Sequence, residues 1–149
     1  MANFVYGKAK QALLNGGFNF SSNNFKVALV KSSYTPSQNV HEFLSDISNA
    51  NIAYVTENIP SLVNNLGVVN SQDFVFTLPE NTAFNAAVIY QVGSSQSNSR
   101  LLSYTDTASG FPFTGSQNSV TVAFDWIGSI LTLWGKYDHT ISRFFRCIQ

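Results

Sequence analysis

The sequence predicts a mainly β protein folded as an antiparallel β-sandwich, and three observations lead to this prediction. Between residues 25 and 124, short runs rich in β-branched and aromatic residues recur, a pattern typical of half-buried strands. Polar turns rich in Asn, Ser, Gln and Gly separate these runs. Hydrophobic residues make up 44% of the 149 residues, which is enough to bury a core. Together these observations favour one domain spanning residues 1–149.

The N-terminal segment, residues 1–24, is expected to form a short helix or an arm. Over residues 3–14 the apolar side chains fall on one helical face, which predicts a helix. Asn15, Gly16 and Gly17 tolerate positive φ and are suited to end it. The alternative is an arm without fixed structure, and the sequence leaves both open.

The predicted β core spans residues 25–125 and contains four runs with the clearest strand pattern. These runs are residues 25–30, 73–78, 86–91 and 119–124. Residues 100–105 are expected to pair with the run at 86–91 across the polar loop 93–99, as an antiparallel hairpin. Weaker patterns predict strands at 52–57, 61–63, 66–70 and 130–134, a turn at Asn64 and Asn65, and a short helical turn within 41–49.

Charged residues are scarce in this chain, and they balance. Only 11% of the residues are charged, with eight basic and eight acidic, against about 25% in a typical domain. A net charge of zero gives no long-range attraction for nucleic acid or anionic lipid, so no direct nucleic-acid contact is predicted. Because no apolar run approaches the ~20 residues of a membrane-spanning helix, no membrane partner is predicted either. A neutral polar surface favours close packing against other protein.

The sequence predicts no catalytic residues, no cofactor and no metal. His41, His139 and Cys147 are the only histidines and cysteine, and their spacing does not match the three or four ligands of a zinc site. The chain contains no Gly-x-Ser-x-Gly elbow and no glycine-rich phosphate loop before a helix. A Ser-His-Asp triad stays open, because such triads are recognised by their geometry in space. The sequence therefore favours a protein that is not an enzyme.

Two aromatic segments are the candidates for contact with a partner. The first is the loop Phe111-Pro112-Phe113. It forms either an exposed hook that inserts into a partner or a lid that folds back over an open end of the sandwich. The second is the C-terminal extension, residues 126–149, which is expected to dock as an arm. Its candidate contact residues are Trp126, Trp134, Arg143, Phe144, Phe145 and Arg146.

Residues 9–125 contain a series of short segments whose order along the chain is informative. They are Ala12 to Gly16, Phe25 to Val30, Tyr34 to Pro36, His41 to Ile47, Phe74 to Phe76, Ala87 to Tyr90, Ser99 to Tyr104 with Asp106, Gly110 to Phe113 and Val120 to Val122. In this order they resemble a family of small structural proteins in the virions of tailed bacteriophages. The chain departs from the family after Asp125, where members tend to stop and this chain continues to Gln149.

The resemblance implies a component of the virion that is made in the host cytoplasm. With the neutral surface and two terminal segments able to order on binding, it leads to the hypothesis of a capsid decoration, or cement, protein on the capsid exterior. The predicted partners are the major capsid protein and further copies of this chain, as a homotrimer or another homo-oligomer. Two alternatives stay open. One is a tail or head–tail connector protein, and the other a host-surface carbohydrate-binding module that stacks sugars on Tyr90, Tyr104, Trp126 and Trp134.

Overall fold

A computed structural model gives the three-dimensional arrangement of most of the chain. It describes residues 2–22, 24–60, 63–65, 68–71, 74–79, 81–108, 110–114, 120–123, 131–132 and 146–148. Within these ranges the protein is mainly β, with one α-helix and a main sheet of five antiparallel strands. The predicted fold class is confirmed at this level.

Several short strands along the chain lie outside the predicted runs. The strands are β1 (Asn3–Val5), β2 (Phe25–Val30), β3 (Ile52–Val55), β4 (Val63–Asn65), β5 (Val68–Asn70), β6 (Phe74–Phe76), β7 (Ala83–Phe84), β8 (Ala86–Gln91), β9 (Arg100–Thr105), β10 (Phe113–Thr114), β11 (Val120–Ala123), β12 (Leu131–Thr132) and β13 (Arg146–Ile148). The helix α1 spans Gly7–Leu14, and 3₁₀ turns lie at Phe20–Ser22, Leu44–Asp46, Asn49–Asn51 and Gln96–Asn98.

The main sheet has the strand order β1-β9-β8-β2-β3. The predicted hairpin is confirmed as β8 and β9, which pair antiparallel with Gln91 opposite Arg100. In the loop that joins them, a side chain at Gly93 would collide with the backbone carbonyl of Asn98, so this close approach requires glycine. On the other side of β8, β2 pairs along its whole length, from Phe25 opposite Gln91 to Val30 opposite Ala86.

The N-terminal segment is part of the folded unit, and its helix is shorter than predicted. Residues 3–5 form the edge strand β1, where Phe4 lies opposite Tyr104 and stacks on its ring at 5.2 Å. The helix prediction is therefore wrong for this stretch, because cross-strand aromatic packing outweighs its helical periodicity. The helix begins at Gly7 and ends at Leu14, and Gly16 follows with φ 72°, as the stop signal predicts.

Among the described residues, three smaller sheets accompany the main sheet, with the orders β10-β7, β13-β11-β6 and β12-β5-β4. Asn64 and Asn65 lie in β4, where they pair with Val69 and Val68. The predicted turn at these two asparagines is therefore wrong. Pairing with β5 satisfies their backbone groups and overrides the turn preference of their side chains.

One hydrophobic core joins the helix, the main sheet and residues of the smaller sheets. It includes Tyr6 and Ala9 near the N-terminus, Leu29 and Leu102 in the main sheet, and Phe76 in β6. The ring of Phe76 stacks on Tyr54 of β3, with ring centroids 5.6 Å apart. Among the described residues, every buried side-chain nitrogen or oxygen has a hydrogen-bond partner, as expected of a well-formed interior.

Candidate functional site

The loop that follows β2 carries most of the polar side chains around which a site can be built. Its residues 34–47, which we name the docked loop, attach to β9 through backbone bonds on both sides of Arg100. Leu101 N donates to Glu42 O at 2.9 Å, and Leu44 N donates to Ser99 O at 2.8 Å. Phe43 forms a β-bridge with Arg100. The docked loop is therefore held against β9 in nearly the same way as a paired strand.

Side chains strengthen this attachment of the docked loop. The Arg100 guanidinium bonds to the Glu42 carboxylate and lies over the Phe43 ring, 4.9 Å from its centroid. The Asp46 carboxylate accepts from the backbone N–H of Glu42 at 2.7 Å and of Phe43 at 2.9 Å. These bonds close the predicted helical turn, which appears as the 3₁₀ turn Leu44–Asp46. The charged groups of this loop therefore serve to fix its shape.

A chain of hydrogen bonds runs from the core to the docked loop through Tyr6, Tyr34 and His41, which we name the tyrosine–histidine chain. The two hydroxyls are 3.0 Å apart, and the Tyr34 hydroxyl is 2.8 Å from His41 Nδ1. The backbone N–H of Ser37 also donates to His41 Nδ1, at 3.3 Å. Because a backbone N–H can only donate, Nδ1 is an acceptor, and the neutral ring carries its proton on Nε2. Tyr34 therefore donates to His41 and accepts from Tyr6.

The environment keeps these tyrosine hydroxyls protonated. Burial raises the pKa of Tyr6 far above its ordinary value, and the neighbouring Tyr34 adds to the shift. Burial also raises the pKa of Tyr34. Near the docked loop, burial and the adjacent Asp106 carboxylate raise the pKa of Tyr104 to about 12. These hydroxyls are hydrogen-bond donors at neutral pH and are unsuited to act as bases.

We expect the protein to lose stability in the alkaline range. The unfolded chain releases the Tyr104 proton near pH 10.0, whereas the folded protein holds it to about pH 12. The contribution of Tyr104 is therefore complete below pH 10.0 and is lost progressively as the pH rises towards 12. Urea unfolding at a series of pH values measures the decline. In a Tyr104→Phe variant the decline should be shallower, and equal slopes for both proteins would contradict the assignment.

The loop Phe111-Pro112-Phe113 packs onto the core through its two rings. The Phe113 ring is buried and stacks on Phe84, with centroids 5.1 Å apart. Phe111 is half-buried and meets the same ring edge-on at 5.3 Å. Pro112 is exposed between them. Contact between this loop and a partner stays a prediction, and Pro112 is the residue best placed for it.

Of the candidates in the C-terminal extension, Arg146 is the one that lies within the described residues. Arg146 begins β13, where its backbone pairs with Ala123, and β13 belongs to a different sheet from β10. Farther upstream in the extension, Leu131 pairs with Val69. The remaining candidates lie outside the described residues: Trp126, Trp134, Arg143, Phe144 and Phe145.

Two of the four rings that the carbohydrate alternative requires are in the interior. Tyr90 is 4% exposed and Tyr104 is 6% exposed. Because a sugar stacks on a ring face that is open to solvent, neither ring can serve as a platform. That part of the alternative is wrong. Its other two residues, Trp126 and Trp134, lie outside the described residues.

Sequence reasoning did not find the tyrosine–histidine chain, because its residues are distant in the sequence. Its members Tyr6 and Tyr34 are 28 residues apart. The attachment of the docked loop has the same character, since Glu42 and Arg100 are 58 residues apart. The sequence signal for the tyrosine–histidine chain is weak. It consists of aromatic and polar residues in the docked loop, which is too rich in turns to form a strand. In the part of the chain that the structure describes, no group of three or more His, Cys, Asp or Glu is placed to hold a metal. No helix there has the length and apolarity needed to cross a membrane.

The chain offers no relative from which a role for this site could be transferred. No protein-family model, curated protein or solved structure matches it.

Proposed function

We propose that the protein is a capsid decoration, or cement, protein of a bacteriophage, which binds the outer shell and stabilises contacts between major capsid subunits. One observation carries the proposal. Segments through which the chain resembles phage virion proteins, distant in sequence, lie together as a single unit. Residues 25–30 and 87–90 are paired strands, and residues 41–47 are bonded to 99–101. This arrangement supports the proposal, because these segments also form part of the framework of the fold.

The polar groups of this unit support a structural role in place of catalysis. His41 Nδ1 accepts two hydrogen bonds, and the Asp46 carboxylate accepts two more. The Glu42 carboxylate is bonded to Arg100. A group engaged in this way would have to break native bonds before it could accept a proton from a substrate. The docked loop thus has the character of a rigid surface feature, and we propose that the protein is not an enzyme.

We further propose that the smaller sheets form the second layer of a β-sandwich. The stack of Phe76 on Tyr54 brings β6 against β3, and Val69 of β5 belongs to the same core as the main sheet. A two-layer body gives a stiff unit. Stiffness suits a cement protein, because a rigid body that bridges two subunits resists their separation without first deforming.

The balance of charge defines the kind of contact that such a protein makes. With eight basic and eight acidic residues, shape and apolar contacts must supply the attachment, because long-range attraction is absent. Gripping several capsid subunits at once raises the overall affinity through effective concentration. We propose the major capsid protein as the partner and a homotrimer or another homo-oligomer as the bound form. Pro112 and the C-terminal extension, residues 126–149, are the proposed contacts.

The number and position of copies in purified virions test this function. We expect quantitative mass spectrometry to find about several hundred copies per particle, and an averaged electron-microscopy map to place them regularly on the outer shell, because icosahedral symmetry repeats each capsid contact many times. About six to a few dozen copies would instead support the tail or connector alternative. Absence of the protein from virions would contradict both readings.

A further inference from the structure

The C-terminal end of α1 presents an asparagine followed directly by a glycine. Asn15 caps the helix, and its backbone N–H donates to Ala12 O at 3.1 Å and Gln11 O at 3.3 Å. Its exposed side-chain amide has no hydrogen-bond partner among the residues that the structure describes. At Gly16, a Cβ atom would find no heavy atom within 4 Å. The space around the Asn15–Gly16 peptide is therefore open.

We propose that Asn15 is a site of spontaneous deamidation, a covalent modification that requires only water. The backbone nitrogen of Gly16 attacks Cγ of Asn15 and gives up its proton. The new C–N bond closes a five-membered succinimide ring, while the Cγ–Nδ2 bond breaks and ammonia leaves. Water then opens the ring at one of its two carbonyl carbons. The product is aspartate when the original backbone is restored, and isoaspartate when the chain continues through the side chain.

Glycine at the next position is what makes this asparagine reactive. It has no side chain to obstruct the approach of its own nitrogen, and it adopts the backbone angles that the ring needs at little cost. Asn15-Gly16 is the only Asn-Gly pair in the sequence. Reactivity of this kind is therefore concentrated at one point of the chain.

The folded helix end slows the reaction but does not prevent it. Asn15 has ψ 8°, and the attack requires rotation about its Cα–C bond. This rotation must open two bonds of the last turn, from Gly16 N to Leu13 O at 3.4 Å and from Gly17 N to Ala12 O at 2.7 Å. The first is long and weak. Because helix ends fray and Leu14, the last residue of α1, is 88% exposed, the opening is local and does not require global unfolding.

Asn98 provides a matched comparison within the same molecule. It is also exposed, and it is followed by Ser99. Its side-chain nitrogen donates to Ser94 Oγ at 2.9 Å, and Ser99 N donates to Gln96 O at 3.3 Å. Both the electrophilic amide and the attacking nitrogen are thus engaged. We expect Asn98 to react several-fold more slowly than Asn15.

Deamidation would alter both the charge and the stability of the helix end. The product carries one additional negative charge on a chain whose formal net charge is zero. This charge lies at the C-terminus of α1, where the helix dipole is also negative, so it disfavours the last turn. The inference concerns a site apart from the docked loop and does not depend on the proposed function.

Incubation of the full chain at mildly alkaline pH and physiological temperature tests the inference. Tryptic mapping of the peptide 11–26 by mass spectrometry, with an unincubated sample as blank, follows residue 15, and a chymotryptic digest follows residue 98. Isoaspartyl methyltransferase labelling detects the isoaspartate product. We expect deamidation of Asn15 to rise with time, several-fold faster than at Asn98. Asn15→Gln should abolish the signal at this position, because its six-membered ring closes far more slowly, and Asn98→Gln should leave it unchanged.

A parallel incubation in concentrated urea gives the rate of the unfolded chain. We expect the native protein to react more slowly than this reference and still measurably. If residue 15 stays intact in the native protein while it reacts in urea, the helix cap protects it and the proposal is overturned. If it stays intact in both samples, the chemistry itself does not occur and the proposal is equally overturned.

Discussion

Replacement of Leu29 with alanine is expected to lower the free energy of unfolding by about 2–5 kcal/mol, the range for a large-to-small change in a packed core. Leu29 is 0% exposed. It lies on β2 between Ala87 of β8 and Tyr54 of β3. Loss of its side chain leaves a cavity that the flanking strands cannot fill without disturbing their pairing. Urea denaturation followed by circular dichroism measures the change.

Leu14→Ala is the matched control for this substitution. The chemical change is the same, but Leu14 is 88% exposed at the end of α1. We expect its free energy of unfolding to change by no more than about 0.5 kcal/mol, as for surface substitutions in general. Similar effects of the two variants would show that the buried position of Leu29 is wrongly assigned.

Tyr34→Phe is expected to lower the free energy of unfolding by about 1–3 kcal/mol, because it leaves a buried polar group without its partner. The Tyr6 side chain is 0% exposed, and its hydroxyl is bonded to that of Tyr34. Removal of the acceptor forces this hydroxyl to remain unsatisfied in the core. Tyr6→Phe should cost less, about 0.5–1.5 kcal/mol, since Tyr34 can still donate to His41.

The double variant Tyr6→Phe with Tyr34→Phe separates the hydrogen bond from the packing. Once both hydroxyls are gone, no buried oxygen is left unpaired between the two rings. The double change should therefore cost clearly less than the two single changes added together. Strict additivity of the two costs would contradict the tyrosine–histidine chain. An NMR measurement of the His41 tautomer provides an independent check, with the proton expected on Nε2 in the parent protein.

The strands of the main sheet were predictable where local pattern and tertiary pairing agree. Residues 25–30, 86–91 and 100–105 form strands with the predicted bounds, because each is a β-branched or aromatic run bounded by turn residues. Residues 3–5 were not predictable as a strand, since their apolar positions fit both the helical and the strand periodicity. Only pairing with β9 decides in favour of a strand, and Asn3 is 102 residues away from its partner Thr105 in that strand.

The candidate site was predictable in composition and not in arrangement. The sequence shows the rings of Phe111 and Phe113, but not that both meet Phe84. It also shows His41 next to Glu42, but not that Tyr34 bonds to His41 or that Arg100, 58 residues away, bonds to Glu42. The contacts of Phe84 and Arg100 join distant segments through the topology of the sheet, and no local window contains them.

The position of β1 at the edge of the main sheet, next to β9, determines when during synthesis this strand can pair. Asn3 lies opposite Thr105, so β1 finds its neighbour only after a further 102 residues have been synthesised. Until then its apolar residues have no permanent cover. Pairings between such distant segments fold slowly, since a large loop must close before any contact forms. We expect β2, β3 and β8 to pair before β9 emerges, and β1 to join the sheet only afterwards.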